Sequence, residues 1–351
     1  EYYTSGFPGP ANFLFATGNN VFEEAGGTLH AAYVENYELY YLRSTDGGAS
    51  WTRENLAAGH NGDVYSAALT VDYNGNVFIG FTVHDLYNYA NPSGNSYGSE
   101  WYFDVRCITN KSGSWVEEPV FTHTSNFGAK TMAMVVDSGM NVHLFANRYG
   151  WDTYGGTAWE WVRDYGSDTW GVQTTAASVT ETAVDNFFYD YYRPLVDSTG
   201  LITLIMNRRY YNGESYAYHL FYTQNDGAWS GITEIDQPVR SYASTYHFDA
   251  AIDGSDHIYL VYLKDLVPGV PQILFSTDFG MTTPIYTGQS GEQIYDLKLH
   301  SDSAGNLTLF VRRGLTTIQG ESISHVYPTS MATRPSGGAW STFKSLPSSA
   351  P

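Results

Sequence analysis

Arg148, Arg208, Lys264 and Arg313 each lie eleven residues after an aspartate: Asp137, Asp197, Asp253 and Asp302. The chain holds only 17 Lys and Arg among 351 residues, against 36 Asp and Glu, so four cations at one offset exceed what scatter supplies. A cationic cluster on an acidic body focuses its field on a small or extended anion. Arg in particular grips carboxylate or sulfate through two parallel hydrogen bonds. Seven residues before the aspartates, Asp72 included, stand Tyr65, Lys130, Asp190, Tyr246 and Tyr295. His60, His84, His123 and His247 fall near the same end of the repeat. His143 lies mid-strand with the opposite parity to Arg148, where packing is its expected role.

These residue types suit one reaction. A base takes the proton beside a uronate carboxylate, a cation stabilises the resulting enolate, and an acid such as Tyr protonates the leaving oxygen. Tyr87, Tyr89, Tyr97, Tyr149, Trp151, Tyr154, Tyr210 and Tyr211 add ring faces for sugars, among Asn and Ser that bond hydroxyls. A glycosidase would instead need two placed carboxylates, one with a raised pKa. A lectin would repeat one pocket in each unit, whereas the residues here differ from repeat to repeat. No His-x-x-x-His spacing, Ser-centred nucleophile turn or phosphate loop is present.

The elements that must position these side chains emerge as a repeat. An apolar stretch, an Asp-x-x-Gly-like turn and a second apolar stretch recur around Asp72, Asp137, Asp197, Asp253 and Asp302, with a looser copy over residues 23–34. Each predicts a β-hairpin. A polar turn follows each, closed by Trp51, Trp115, Trp170, Trp229 or Trp340, or by Thr282. Hairpin plus turn makes four strands, and the period suits a propeller blade. The expected fold is therefore all-β: a β-propeller of four-stranded antiparallel blades, six favoured and seven the alternative. It forms one domain over residues 1–351, with 1–20 a lead-in or a ring-closing strand. In such a ring the recurrent cations would surround the central mouth.

Composition supports this and excludes other classes. Thirty Tyr, 18 Phe, 9 Trp and 35 Gly suit short strands and tight turns. A net charge of −19 argues against nucleic acid and anionic membrane surfaces. No apolar run of about 18 residues exists to span a bilayer. A lone Cys107 cannot form an internal disulfide. The N-terminus reads as what remains after a signal peptide is removed, so the expected location is secreted, extracellular or periplasmic. The expected state is a monomer that needs no cofactor, with structural Ca²⁺ in an acidic turn left open.

Two resemblances add to this reading. Ser44-Thr45-Asp46-Gly47-Gly48-Ala49-Ser50-Trp51 resembles the Asp-box, or BNR repeat, of sialidase-like propellers, and Ser276–Thr282 is a second copy. It implies the fold, with the turn between the outer strands. A sialidase would also need three arginines, which Arg148, Arg208 and Arg313 could imitate, and a Tyr–Glu pair that the sequence does not place. Blades three to five resemble the propeller-type polysaccharide lyases, notably ulvan lyases, through His123, His143, Tyr191-Tyr192-Arg193-Pro194, Arg208 and Tyr246. That likeness implies His123 as base, Tyr246 or Tyr192 as acid and Arg208 as carboxylate neutraliser. The proposed ligand-binding set is Arg148, Lys264, Arg313, His84, His143, Lys130, Tyr65 and Tyr295. An anionic polysaccharide or oligosaccharide, uronate or sulfated, is the expected partner, with a sialidase-type hydrolase or a glycan-binding surface protein as alternatives.

Overall fold

Where each Asp-x-x-Gly-like segment predicts a hairpin, the backbone makes one. A computed structural model describes residues 21–24, 26–56, 63–87, 100–122, 132–147, 157–178, 188–211, 216–236, 248–267, 270–319, 322–326 and 329–346. Among the described residues there is no helix, and the strands form six antiparallel sheets, the blades of a β-propeller. Blade one is β1 (Val21–Glu23), β2 (Leu29–Glu35), β3 (Glu38–Ser44) and β4 (Thr52–Asn55). Blade two is β5 (Asp63–Val71), β6 (Val77–Tyr87), β7 (Glu100–Thr109) and β8 (Val116–Phe121). Blade three is β9 (Met132–Val136), β10 (Val142–Asn147) and β11 (Thr157–Asp164), with β12 (Thr169–Trp170) and β13 (Thr174–Ser178) both paired to β11. Blade four is β14 (Phe188–Val196), β15 (Ile202–Tyr211), β16 (Tyr216–Asn225) and β17 (Thr233–Asp236). Blade five is β18 (Phe248–Ile252), β19 (Ile258–Val267), β20 (Val270–Thr277) and β21 (Thr283–Thr287). Blade six is β22 (Glu292–Ser301), β23 (Leu307–Gln319), β24 (Ser322–Val326) on the end of β23, β25 (Thr329–Arg334) and β26 (Lys344–Ser345). The chain forms two compact units, Glu1–Pro194 and Leu195–Pro351.

In blades two to six the first strand stops one residue before its aspartate. The Asp72 amide then donates to the Asn76 carbonyl (2.9 Å) and the Gly75 amide to the Asp72 carbonyl (3.0 Å). This is a tight turn followed by one left-handed residue. The same pair of bonds recurs at Asp137, Asp197, Asp253 and Asp302, and at Glu24 in blade one. The Asp72 carboxylate accepts from the amides of Asn74 and Asn76, both at 2.9 Å, so donors that the turn strands are satisfied locally. Asp197, Asp253 and Asp302 do likewise. The left-handed position is Gly27, Gly75, Gly200 or Gly305 in four blades, but Met140 (φ +67°) in blade three and Asp256 (φ +67°) in blade five. Asp256 has an occupation there, since its carboxylate accepts from the Ser198 amide and hydroxyl at 2.7 and 2.5 Å.

Pairing centres each described hairpin two residues after its acid, as in Val71 opposite Val77 and Ser301 opposite Leu307. Away from the turn that symmetry breaks in blades two and six. Register shifts between Val64 and Ser66, and between Ile294 and Asp296, leave Tyr65 and Tyr295 as β-bulges. Arg313 therefore faces Ile294, not Tyr295, which corrects the strictly symmetric frame. A bulge re-aims the side chain it carries, and such bulges gather beside functional sites.

The first and second strands read as continuous apolar runs because both faces are covered. Val77, Ile79, Phe81 and Val83 of β6 pack with Ala32, Leu39 and Tyr41 of blade one. Phe78 of the same strand packs with Met132, Met134 and Leu144 of blade three. Within the second unit, blades five and six share an equivalent core through Val261, Leu263, Leu297 and Leu309. Gly80 marks how closely blades two and three approach: a Cβ there would lie 2.7 Å from Leu144 Cδ1.

Met140 tests the turn directly. Met140→Gly removes left-handed strain while loosening the unfolded chain, and should raise stability by roughly 0.5–1 kcal/mol. The urea midpoint should rise with an unchanged slope. A lower midpoint would mean that the Met140 side chain contributes more than its backbone costs.

Candidate functional site

The chemistry-bearing candidates divide by what the structure shows of them. His123, Lys130, Arg148 and Tyr246 lie outside the described residues, as do His60, His247 and residues 88–99. Tyr65, His84, Asp190, Arg208 and Tyr295 are placed by backbone alone, in β5, β6, β14, β15 and β22. Tyr192, His143, Lys264 and Arg313 are described with their side chains.

Lys264 and Arg313 hold the same repeat position, on β19 and β23. Lys264 Nζ donates to both oxygens of Asp236 at 2.7 and 2.8 Å, and the Tyr262 hydroxyl donates to the same carboxylate at 2.8 Å. Arg313 Nη1 donates to the Tyr286 hydroxyl at 2.5 Å, and its Nε donates to Ser330 Oγ at 3.2 Å. Tyr286 in turn donates to Glu292 (2.7 Å), whose carboxylate lies 3.6 Å from Arg313. Each site is thus a cation, a tyrosine hydroxyl and a carboxylate. Both cations stay partly exposed, with side-chain accessibilities of 32% and 24%. Burial first, then the Glu292 bond, raises the Tyr286 pKa against the pull of Arg313, so its hydroxyl stays protonated. The sequence frame missed Asp236 and Tyr286 because they sit on the outermost strands, β17 and β21, outside the repeated hairpin. Chain order held the signal, since each of those strands is the last of its blade.

Beside the blade-six bulge lies a second carboxylate. Asp296 is 1% exposed and meets Arg312 Nη2 at 2.5 Å. Burial pushes its pKa up to about 7, although Arg312 and Lys298 pull the other way. Asp249 is used differently, accepting from the amides of Ala250 (3.0 Å) and Leu299 (2.8 Å) and so fastening blade five to blade six.

His143 does not face a ligand. It is buried, with Nδ1 2.8 Å from Glu160 and Nε2 3.2 Å from Asp137, so both ring nitrogens are occupied inside blade three. Burial alone would lower its pKa, but the bonds and charges of the two carboxylates overcome this and raise it. His30 holds the same repeat position in blade one, between Glu24 (2.8 Å) and the Tyr41 hydroxyl (2.7 Å). With one carboxylate instead of two, burial prevails there and the pKa falls. Tyr192 is also fully buried, within β14. Its burial, like that of Tyr191 beside it, follows from both faces of the strand being covered and sets it apart from an exposed acid.

The Ser44–Trp51 turn sits between β3 and β4, the outer strands of blade one. Ser44 Oγ accepts from the Gly48 amide (2.8 Å), and Asp46 accepts from the amide (2.9 Å) and hydroxyl (2.6 Å) of Ser50. Those Ser50 bonds, followed by the Ser44 bond, hold Asp46 down to about 2. Among the described residues no group of three His, Cys, Asp or Glu is placed to hold a metal ion. No helix there is long and apolar enough to cross a membrane.

No protein-family model and no curated relative matches the chain. Solved structures do. An α-L-arabinofuranosidase from Fusarium graminearum is 11% identical, with a TM-score of 0.57 over 95% of this chain and 97% of that one. An α-L-arabinanase from Penicillium chrysogenum is 14% identical, with a TM-score of 0.53 over 91% and 94%. The NanB sialidase of Streptococcus pneumoniae is 12% identical, with a TM-score of 0.51 over 85% of this chain and 65% of that one. The likeness is one of fold: all three share the propeller.

His143 and Asp296 both bind protons more tightly in the folded protein than their ordinary values imply. The stability each contributes is therefore largest below its ordinary pKa and is lost as pH rises through the folded one. The Asp296 loss should run from about pH 4 to about 7, and the His143 loss should begin above about pH 6.5. Asp296→Asn should flatten the first part of a urea-midpoint profile, and His143→Gln the second. Profiles with the wild-type slope would contradict the buried-pair description.

Proposed function

We propose that the protein binds an anionic polysaccharide, uronate or sulfated, and cleaves it by β-elimination outside the cell, acting as a monomer without a required cofactor. The observation that carries this reading is the recurrence of a partly exposed cation beside a tyrosine hydroxyl and a carboxylate: Lys264 with Tyr262 and Asp236, Arg313 with Tyr286 and Glu292. Cations that hold a carboxylate also acidify the proton beside it, and a protonated tyrosine can supply a departing oxygen. Glycan-directed names among solved propellers of like fold, arabinofuranosidase, arabinanase and sialidase, support a carbohydrate ligand.

In this proposal His123 takes the proton, Arg208 neutralises the uronate and Tyr246 protonates the leaving oxygen. The burial of Tyr192 leaves the donor role to Tyr246. Arg148, Lys264, Arg313, His84, Lys130, Tyr65 and Tyr295 contribute to ligand binding, whereas His143 serves blade three. An imidazole with an unperturbed pKa near 6.5 is neutral at slightly alkaline pH, as a base must be.

Hydrolysis is the second reading, and one observation favours it. The Tyr286–Glu292–Arg313 group is the kind of Tyr–Glu pair beside an arginine that a sialidase-type enzyme needs. The raised Tyr286 pKa weighs against it as a phenolate nucleophile and suits proton donation.

The test is incubation with a panel of uronate polysaccharides, followed by ultraviolet absorbance of the unsaturated product at about 235 nm. His123→Ala should lower that rate by roughly two to four orders of magnitude while leaving binding nearly intact. Full activity in the variant, or saturated products from the wild type, would contradict the proposal.

A further inference from the structure

The β5–β6 turn of blade two reads Asp72-Tyr73-Asn74-Gly75-Asn76. Ser138, Ser198, Gly254 and Ser303 hold the place of Tyr73 in blades three to six, so the turn itself needs only a small residue there. Tyr73 is 74% exposed, and neither its ring nor its hydroxyl meets a partner among the described residues. A single exposed aromatic is ordinary on a protein surface. What distinguishes this one is the polar pair fixed beside it.

Asn74, the next residue, reaches across to blade three, where its Nδ2 donates to the Tyr165 hydroxyl oxygen at 3.1 Å. That leaves the Tyr165 hydroxyl proton and Asn74 Oδ1 without a partner among the described residues, one donor and one acceptor side by side. Both residues are held from behind. The Asp72 carboxylate accepts from the Asn74 amide, and Asn141 Oδ1 accepts from the Tyr165 amide at 3.1 Å. Lys111 Nζ sits 3.9 Å from the Tyr165 ring centroid and donates to the Tyr165 carbonyl at 3.1 Å. Its charge is matched by Asp168, which also accepts from Arg163 Nη1 at 2.9 Å. The place therefore offers a ring face, a donor and an acceptor, with its cations already paired.

We propose that Tyr73, Asn74 and Tyr165 form a second carbohydrate-binding site, which docks a polysaccharide without cleaving it. The C–H face of one sugar unit lies on the Tyr73 ring, while its hydroxyls bond Asn74 Oδ1 and the Tyr165 hydroxyl. The site stands at the opposite end of the β5–β6 hairpin from Tyr65 and His84, and so apart from the mouth residues of its own blade. It recognises hydroxyls and a ring face, not charge. Its hold on a ligand should accordingly resist salt that screens the mouth cations. Binding here needs no chemistry at the mouth, so the inference goes beyond the elimination reading and does not depend on it.

The test is binding of the full chain to immobilised alginate, polygalacturonate, xylan and arabinan in about 0.5 M NaCl, which screens exposed charge. The wild type should bind at least one of them. Tyr73→Ser installs the residue of blades three, four and six, so it should keep the wild-type melting temperature. Its Kd should rise about five- to tenfold, the size of a lost ring-face contact. Tyr73→Phe keeps the ring and should bind as the wild type does. Tyr165→Phe keeps the ring under Lys111 but loses the donor, and should raise the Kd about two- to tenfold. Wild-type binding to none of the four, or an unchanged Kd in Tyr73→Ser, would overturn the docking site. A melting temperature lower by several degrees in Tyr73→Ser would show the ring to be a packing element and overturn it equally. A wild type that binds in this way but yields no unsaturated product would end the elimination reading and leave the docking site standing.

Discussion

In the first hairpin of blades two to six, an aspartate at the start of the turn accepts bonds from amides that the turn leaves without a ladder partner. The consequences extend well beyond five residues. That capping fixes the length of the turn and hence the pairing of the first two strands. A slip of one residue would turn every side chain to the opposite face. Here both faces are core, so a slip would exchange Phe78, which packs on blade three, with Val77 and Ile79, which pack on blade one. The same carboxylates reach further along the strand. Asp253 accepts from the Tyr259 hydroxyl at 2.8 Å, and Asp137 and Glu24 bond the histidines at that position. Part of the chain's net charge of −19 is thus spoken for inside its turns.

Blades hold one another at their outer strands as well as through their inner ones. Trp115 of blade two stands edge-on to Tyr41 of blade one and donates to Glu54 at 3.0 Å. Trp170 of blade three donates to Glu118 of blade two at 2.9 Å, where Arg163 also grips that carboxylate through two bonds of 2.7 and 2.8 Å. In the second unit, Trp340 of blade six stands edge-on to Phe275 of blade five. Three of the residues that close the polar turns, Trp115, Trp170 and Trp340, are therefore connectors between blades, whereas Trp51 packs within blade one. Arg163 is 3% exposed, and a cation so buried needs the paired geometry that Glu118 and Asp168 give it.

Much of this was legible in the sequence because it is local. An Asp, a Gly three residues on and flanking apolar runs specify a hairpin by turn chemistry alone, and repetition specifies the architecture. Met140 and Asp256 show that the pattern survives where the glycine does not, since the acid and the flanking strands still define the turn. The site was less legible because it depends on contacts that sequence offsets do not encode. The partners of Lys264 and Arg313 come from other strands, while the carboxylates Asp249 and Asp296 serve the blade five–six junction and Arg312 instead. The bulges at Tyr65 and Tyr295 shift the register by one residue, and nothing in their residue types announces it.

Elimination and hydrolysis draw on overlapping residues, but they differ in what they add to the substrate. Breaking a glycosidic bond by elimination leaves two fragments whose masses sum to that of the parent chain, because the proton lost at one carbon returns at the leaving oxygen. Hydrolysis adds one water for every bond cleaved. Mass spectrometry of the fragments released from a defined uronate oligosaccharide tests the central claim most directly. The account predicts fragment masses that sum to the parent with no water gained, and a gain of one water per cleaved bond would contradict it.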